Sequence, residues 1–470
     1  MRAWSLIMKE FFMGWRITSL ILIVSLLGMM MPSAEASASL KRKGILGLMP
    51  VDRSGPLLVA QILPGSTAET IGLKVGDSIQ TLNNQTVGSF DDLIPLLANL
   101  YAGDHIALEV TREKKKLKLS GLMQERQREQ SQHANIEYRS VDYANNRLRS
   151  ILHLPKQSIH STQDGVPAIY FIQGYTCDSI DYGLIPNVTT RQMIDQFVIA
   201  GYAVFRVEKL GVGDSRSSQH CRDVDFNTEL TGFVAGLDAL KSHHAIDPAK
   251  VYLWGHSLGV LYAPAMASQQ NVAGIIGYGG VAKPWYDYMV DLFAKQSTKF
   301  WGLSQEQAER NTQMIKPMLA DWLKSNKDWH TITQSKSFKE STRAELLAVN
   351  GDYVLTRHYE FFRSINQQDF QSMWLNIKVP TLMMHGSLDI QAISEDWAFQ
   401  IARWVNQNSE QKIAKAIVID GAEHGFMRYK NREALMQASR EGRPSAVNPG
   451  KHFDKRIGEL TINWLKEVTQ

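Results

Sequence analysis

The stretch VYLWGHSLGVLYAPA, Val251 to Ala265, decides how the larger part of this chain is read. A β-branched and aromatic run enters a serine held between Gly255 and Gly259, and a helix-like run leaves it. Small residues on both sides permit a strained strand-to-helix turn that exposes the Ser257 hydroxyl, the form of a nucleophile elbow. The pentapeptide alone does not separate that reading from an ordinary tight turn, because two glycines around a serine also arise without chemistry.

Outward from this point the chain alternates. Apolar strand-like runs occur at AIYFIQG, YAVFRVE, VYLWGHS, VAGIIGYGG, TLMMHGS and KAIVIDG, separated by helix-length segments such as FNTELTGFVAGLDALKSH. IEYRSVDYANNRLRSILHLP precedes them and reads as a hairpin turning at Asn145 and Asn146. The alternation predicts an α/β domain, a mostly parallel, doubly wound sheet with helices on both faces and ligands at the carboxyl ends of the strands. PTLMMHGSLD ends at Asp389, and KAIVIDGAEHGF carries His424 just past its strand, so the chain order is Ser, Asp, His.

On these three separately placed motifs, residues 136–470 resemble the α/β-hydrolase family. The resemblance implies that Ser257 is the nucleophile, that His424 takes and returns its proton, and that Asp389 orients the imidazole. Asp420 is a rival acid, still inside its strand-like run. The oxyanion donors it implies are the N–H groups of Leu258, after the nucleophile, and of Tyr175 in FIQGYTCDS. Gln173 stands there where related enzymes often carry His. LGVGDSRSS matches the family's glycine-containing turn, and the full nucleotide-binding fingerprint is missing.

An insertion over about 282–373 stands where the family places a lid, with Trp285, Trp301, Trp322 and Trp329 along it and Trp374 at its end. An apolar lid suits an acyl or aromatic substrate, although such tryptophans more often belong to a core. MRYKNREALMQASREGRPSAVNPGKH, after His424, reads as a solvated face. The family's topology sets the third and fourth strands near one another, which brings Cys177 and Cys221 to the catalytic edge and implies a disulfide; two unpaired buried thiols are the alternative.

A smaller module precedes this region. ILGL, then ILPGSTAETIGLKVGDSIQTLNNQTV, then the helix-like FDDLIPLLANLY capped by Ser89, resemble in their order a PDZ domain of the bacterial protease-associated kind, over residues 41–122. The resemblance implies that N–H groups of Leu46, Gly47 and Leu48 capture a peptide's C-terminal carboxylate while the peptide adds a strand. A module that only packs against its neighbour is the alternative. The polar stretch around QERQREQSQHAN, residues 123–135, reads as a linker.

The bulk properties agree with two or more folded domains. The chain has 470 residues, 44% of them hydrophobic and 21% charged, and a formal charge of +4 that gives no reason to invoke nucleic acid. Its one dense basic run, REKKKLKL at 112–119, reads as a solvated edge strand. Residues 1–38 carry a basic lead, an apolar core of about 15 residues and small residues at a cleavage site, the pattern of a signal peptide and short for a spanning helix. The expected location is therefore periplasmic or secreted, with a membrane anchor only if the segment is uncleaved. His243 and His244 are expected to be solvated at a helix end. No His, Cys, Asp and Glu set has metal spacing, and neither metal nor cofactor is expected.

Together these readings predict an exported serine hydrolase that cleaves small-molecule carboxylic esters through an acyl-enzyme. A peptidase or an acyltransferase of the same fold is the alternative, and a PDZ-mediated binding protein with an idle hydrolase fold is another.

Overall fold

The computed structural model describes residues 40–52, 55–158, 163, 165–441 and 448–469. The segment read as a signal peptide, residues 1–38, lies outside the described residues. Those described divide between Arg128 and Glu129 into two compact units.

The first unit carries eight short strands: β1 (Gly44–Ile45), β2 (Leu48–Pro50), β3 (Val59–Ile62), β4 (Ser78–Leu82), β5 (Gln85–Thr86), β6 (His105–Arg112), β7 (Lys115–Leu122) and β8 (Gln124–Glu125). β6 alternates as a half-buried strand must, sending Ile106, Leu108 and Val110 into a core shared with Leu57, Val59, Ile79 and Leu93. The helix Phe90–Leu97 starts where Ser89 accepts the Asp92 N–H at 3.2 Å, the expected cap. The basic run forms the outer strand β7, its lysines exposed and Lys118 paired across the ladder with Glu109 at 3.1 Å.

The polar stretch 123–135 departs from the linker reading. Met123 is buried in the core of the first unit, and β8 pairs with β1. Within the second unit Glu129 is buried, accepting hydrogen bonds from Arg191 Nε at 2.9 Å, from Arg206 at 2.9 and 3.0 Å and from the Tyr182 N–H at 2.9 Å, with His153 Nε2 also at 2.9 Å. A charged residue reads as solvated in a sequence because its partners lie far along the chain; here they fold around it.

The second unit is built on one eight-stranded sheet. Its strands are β9 (Ala134–Tyr143), β10 (Asn146–Pro155), β11 (Val166–Ile172), β12 (Ala203–Val207), β13 (Ile246–His256) and β14 (Gly274–Tyr278); after three short strands described below come β18 (Thr381–Gly386) and β19 (Ala414–Ile419). Their spatial order is β19-β18-β14-β13-β11-β12-β10-β9. All neighbours from β12 to β19 are parallel, β10 is antiparallel to β12, and β9 is antiparallel to β10. The hairpin turns at Ala144 and Asn145, one residue earlier than expected, since Tyr143 pairs with Asn146.

The central strands are chiefly apolar because helices cover both faces. Along β11, Ala168, Tyr170 and Ile172 enter one core with the helices Phe226–Lys241 and Gly259–Ala267. Ile169 and Phe171 enter the other with the helices Thr189–Ile199 and Arg456–Thr469. The chain leaves β11 toward β12 and returns to the other side at β13, so a crevice opens at the carboxyl ends of β11 and β13.

Between β14 and β18 the insertion forms helices, among them Trp285–Asp291, Gln305–Leu323, Trp329–Gln334, Lys336–Arg343, Tyr359–Asn366 and Phe370–Leu375. A small separate sheet holds β15 (Val349–Asn350), β16 (Tyr353–Val354) and β17 (Arg357–His358). Trp322 and Trp374 are fully buried, and Trp285 and Trp329 nearly so, which makes the tryptophan series chiefly core. His243 is also buried, contrary to expectation: its Nε2 lies 3.1 Å from Glu137 on β9, while His244 stays exposed.

Candidate active site

β13 delivers Ser257 in a left-handed conformation, with φ 55°, which an L-residue adopts only under local constraint. The flanking glycines provide the room. A Cβ at Gly259 would stand 2.3 Å from the Ile172 carbonyl oxygen, and one at Gly255 would stand 2.5 Å from the oxygen of Gly259. The helix Gly259–Ala267 follows at once, so Leu258 lies at a helix start, where N–H groups lack intrahelical partners and the helix dipole is positive. The Ser257 N–H is tied to the Tyr278 carbonyl at 2.9 Å, joining the turn to the end of β14.

The loops after β18 and β19 bring an acid and an imidazole together. Asp389 is buried, and its Oδ1 accepts the N–H groups of Gln391 and Ala392, both at 2.8 Å. His424 Nδ1 lies 2.8 Å from Asp389 Oδ2 and 3.0 Å from Oδ1. Burial opposes both charges, yet each partner overrides it: Asp389 is held below the usual carboxylate range and His424 above the usual imidazole value. With Asp389 ionised, the proton sits on Nδ1 and leaves Nε2 as an acceptor. Asp420 is exposed and takes a hydrogen bond from the Ser387 hydroxyl at 3.3 Å instead.

His256, whose role the sequence does not disclose, links the histidine loop to the elbow. Its Nε2 donates to the His424 carbonyl at 2.9 Å, and the two rings lie 4.9 Å apart. Burial, reinforced by His424, pushes His256 down to about 3, so it stays a neutral donor. On the same loop the Tyr278 hydroxyl donates to the Glu423 carbonyl at 2.7 Å. Burial raises the Glu423 carboxyl to about 7 against the N–H groups of Gly425 and Met427. A Cβ at Gly279 would come within 2.9 Å of both Asp389 Oδ2 and His424 Nδ1, so β14 ends directly beneath the pair. Among the described residues the Ser257 hydroxyl makes no hydrogen bond to His424, a link that tightens in many enzymes only when substrate is bound.

The loop after β11 closes on the serine from the other side. A Cβ at Gly174 would lie 3.0 Å from Ser257 Cβ and 3.4 Å from its Oγ, so this position has no room for a side chain. Tyr175 follows; its ring stacks on Phe362 at 5.7 Å and meets Phe361 edge-on at 6.2 Å, both in the insertion. Phe362 stacks on Trp285, Trp285 packs on Tyr288 and Tyr288 on Trp397, so an aromatic series runs from this loop to the helix after Asp389. Cys177 and Cys221 form a disulfide with a Cα separation of 5.8 Å.

In the first unit, Gly47 has φ 76°, its carbonyl accepts the Leu63 N–H at 2.9 Å, and the Leu46 and Leu48 side chains are buried. Among the described residues no group of three or more His, Cys, Asp or Glu is arranged to hold a metal ion.

Residues 44–120 match the PDZ domain family, and residues 188–430 match the family described as serine aminopeptidase, S33. The chain belongs to that S33 family, and its second unit has the α/β-hydrolase fold. Esterase EstD of Thermotoga maritima is 21% identical over 305 residues, a match spanning 64% of this chain and 62% of that protein's length. Among solved structures, Est1E from Butyrivibrio proteoclasticus is 15% identical with a TM-score of 0.39, covering 66% of this chain and 98% of its own. The Pyrococcus furiosus esterase Pf2001 is 14% identical with a TM-score of 0.39, covering 71% and 90%.

Proposed function

We propose that the S33-family unit cleaves carboxylic esters through an acyl-enzyme. The observation that carries this reading is the buried Asp389–His424 pair beside a serine in the strained turn after β13. In this mechanism Ser257 Oγ attacks the ester carbonyl carbon while its proton passes to His424 Nε2. The carbonyl oxygen becomes an oxyanion that accepts the N–H groups of Tyr175 and Leu258. His424 returns the proton to the departing alkoxide, and a water, deprotonated by the same imidazole, releases the acid. Asp389 holds the ring in the required tautomer and stabilises it when charged.

The likeness to EstD supports an ester as substrate, and the S33 family description keeps a peptide bond as the second reading. Export to the periplasm or medium is part of the proposal: the disulfide suits an oxidising compartment, and no helix among the described residues is long and apolar enough to cross a membrane. The PDZ domain is proposed to take a protein or peptide C-terminus on the loop Leu46–Leu48.

A panel of chromogenic esters and amides, run on the wild type and on Ser257→Ala, tests the mechanism. Esters are expected to turn over, and the variant to lose about 10⁶-fold in kcat. Faster cleavage of aminoacyl amides than of esters would assign the peptidase reading, and Ser257→Ala activity within about tenfold of wild type would overturn both.

A further inference from the structure

We propose that Lys209 and Arg357, bridged by Glu229, are positioning residues for the loop after β11: they grip two consecutive carbonyl oxygens and so aim the Tyr175 N–H at the acyl oxygen. The proposal rests on the ester-cleaving reading above. Lys209 follows β12, Glu229 belongs to the helix Phe226–Lys241 and Arg357 opens β17 in the insertion, and all three are buried. Lys209 Nζ donates to the Gly174 carbonyl at 2.6 Å and lies 2.7 Å from Glu229 Oε1. Arg357 Nη1 donates to the Tyr175 carbonyl at 3.0 Å, and its Nη2 donates to Glu229 Oε2 at 2.7 Å. The Tyr262 hydroxyl adds a hydrogen bond to Glu229 Oε1 at 3.0 Å.

The Gly174 carbonyl and the Tyr175 N–H are opposite ends of one planar trans peptide, so an oxygen held by an ammonium fixes the direction of the N–H. The cation also draws electron density through the peptide and makes that N–H a stronger donor. A stabilising ion pair alone would need only one cation for Glu229. Here two cations share it, and each directs a hydrogen bond to the same short loop. The buried group carries one net positive charge next to the place where negative charge develops, and in a low dielectric that charge favours the oxyanion.

The charge on Lys209 also has a pH limit. Burial pushes its ammonium down to about 8, with Arg357 acting in the same direction and Glu229 and Asp178 opposing. The adjacent Glu208 directs its carboxylate to the Ser179 hydroxyl and the Ile180 N–H at 3.1 Å. As pH rises through about 8 the clamp loses its ammonium, and kcat should fall on that side.

The test uses p-nitrophenyl acetate with the full chain, the wild type, Lys209→Met, Arg357→Lys and Ser257→Ala. Wild-type turnover abolished in Ser257→Ala reports on the esterase reading alone. Given that, Lys209→Met is expected to lower kcat by about 10- to 100-fold, less than loss of a whole oxyanion donor, with KM within about twofold and the alkaline limb near pH 8 gone. Retention of kcat within about threefold, or of that limb, in folded Lys209→Met would overturn the proposal. Arg357→Lys keeps the charge but loses the forked reach, and the folded variant should lower kcat at least about tenfold with KM kept; unchanged kcat would overturn the proposal even if Lys209→Met failed to fold.

Discussion

His424 sits between groups that pull it in opposite directions. Burial favours the neutral ring, Asp389 favours the charged one, and Asp389 prevails, so the imidazole titrates above its ordinary value of about 6.5. The proposed mechanism needs the base form for attack, so kcat/KM should fall as pH drops through a midpoint above that of a free histidine. Asp389→Asn removes the charge that raises it; the limb should move down in pH and kcat should drop by about 10⁴-fold, both read from one pH–rate profile. An unmoved limb would mean that another group, Glu423 with its raised carboxyl being the first to examine, sets the titration. The chain order of Ser257, Asp389 and His424 and their places at strand ends were legible because they are local features of the sequence. Lys209, Glu229 and Arg357 were not: Glu229 and Arg357 stand 128 residues apart, and a single lysine or arginine in a sequence reads as surface.

At the scale of elements, the site depends on loops held at sheet ends. Cys177 lies two residues past Tyr175, and its bridge to Cys221, at a sequence separation of 44, joins the loops after β11 and β12. The chain-entropy estimate for such a loop is about 4 kcal/mol, an upper bound that strain commonly reduces. Denatured, unreduced protein should therefore show no titratable thiol. Reduction should lower the unfolding midpoint and slow turnover together, since the bridge borders the loop proposed to supply an oxyanion donor, a group that works only within about 0.5 Å of its place. Two thiols before reduction would remove the bridge from the account. The insertion acts at the same scale: Arg357 and Phe362 reach the Tyr175 loop from it, so it supports the site as well as standing where a lid would.

Across the whole molecule, each unit has its own apolar core, and every proposed catalytic group lies past Glu129. A chain beginning at Arg128 should therefore keep most of its turnover of small esters. Glu129 marks how far such a truncation can go. Its carboxylate is held far below the usual range, chiefly by Arg206 and His153 against the effect of burial. Glu129→Ala strands Arg206, Arg191 and His153 inside the fold, and the unfolding free energy should fall by about 3–5 kcal/mol in denaturant titration. A loss under about 1 kcal/mol would mean that water reaches the cluster and replaces the carboxylate.

The sequence by itself determined the alternation of strands and helices, the serine elbow, the order of serine, acid and histidine, and the PDZ-like module, because each is written in periodicity or in residues close together along the chain. Tertiary structure alone decided that His256 ties the histidine loop to the elbow, that Glu129 is a buried anchor, and that Lys209 and Arg357, joined by Glu229, grip the loop beside Ser257. Those outcomes depend on which side chains share a desolvated space, and a buried charge is tolerated only when folding has brought its partner to it.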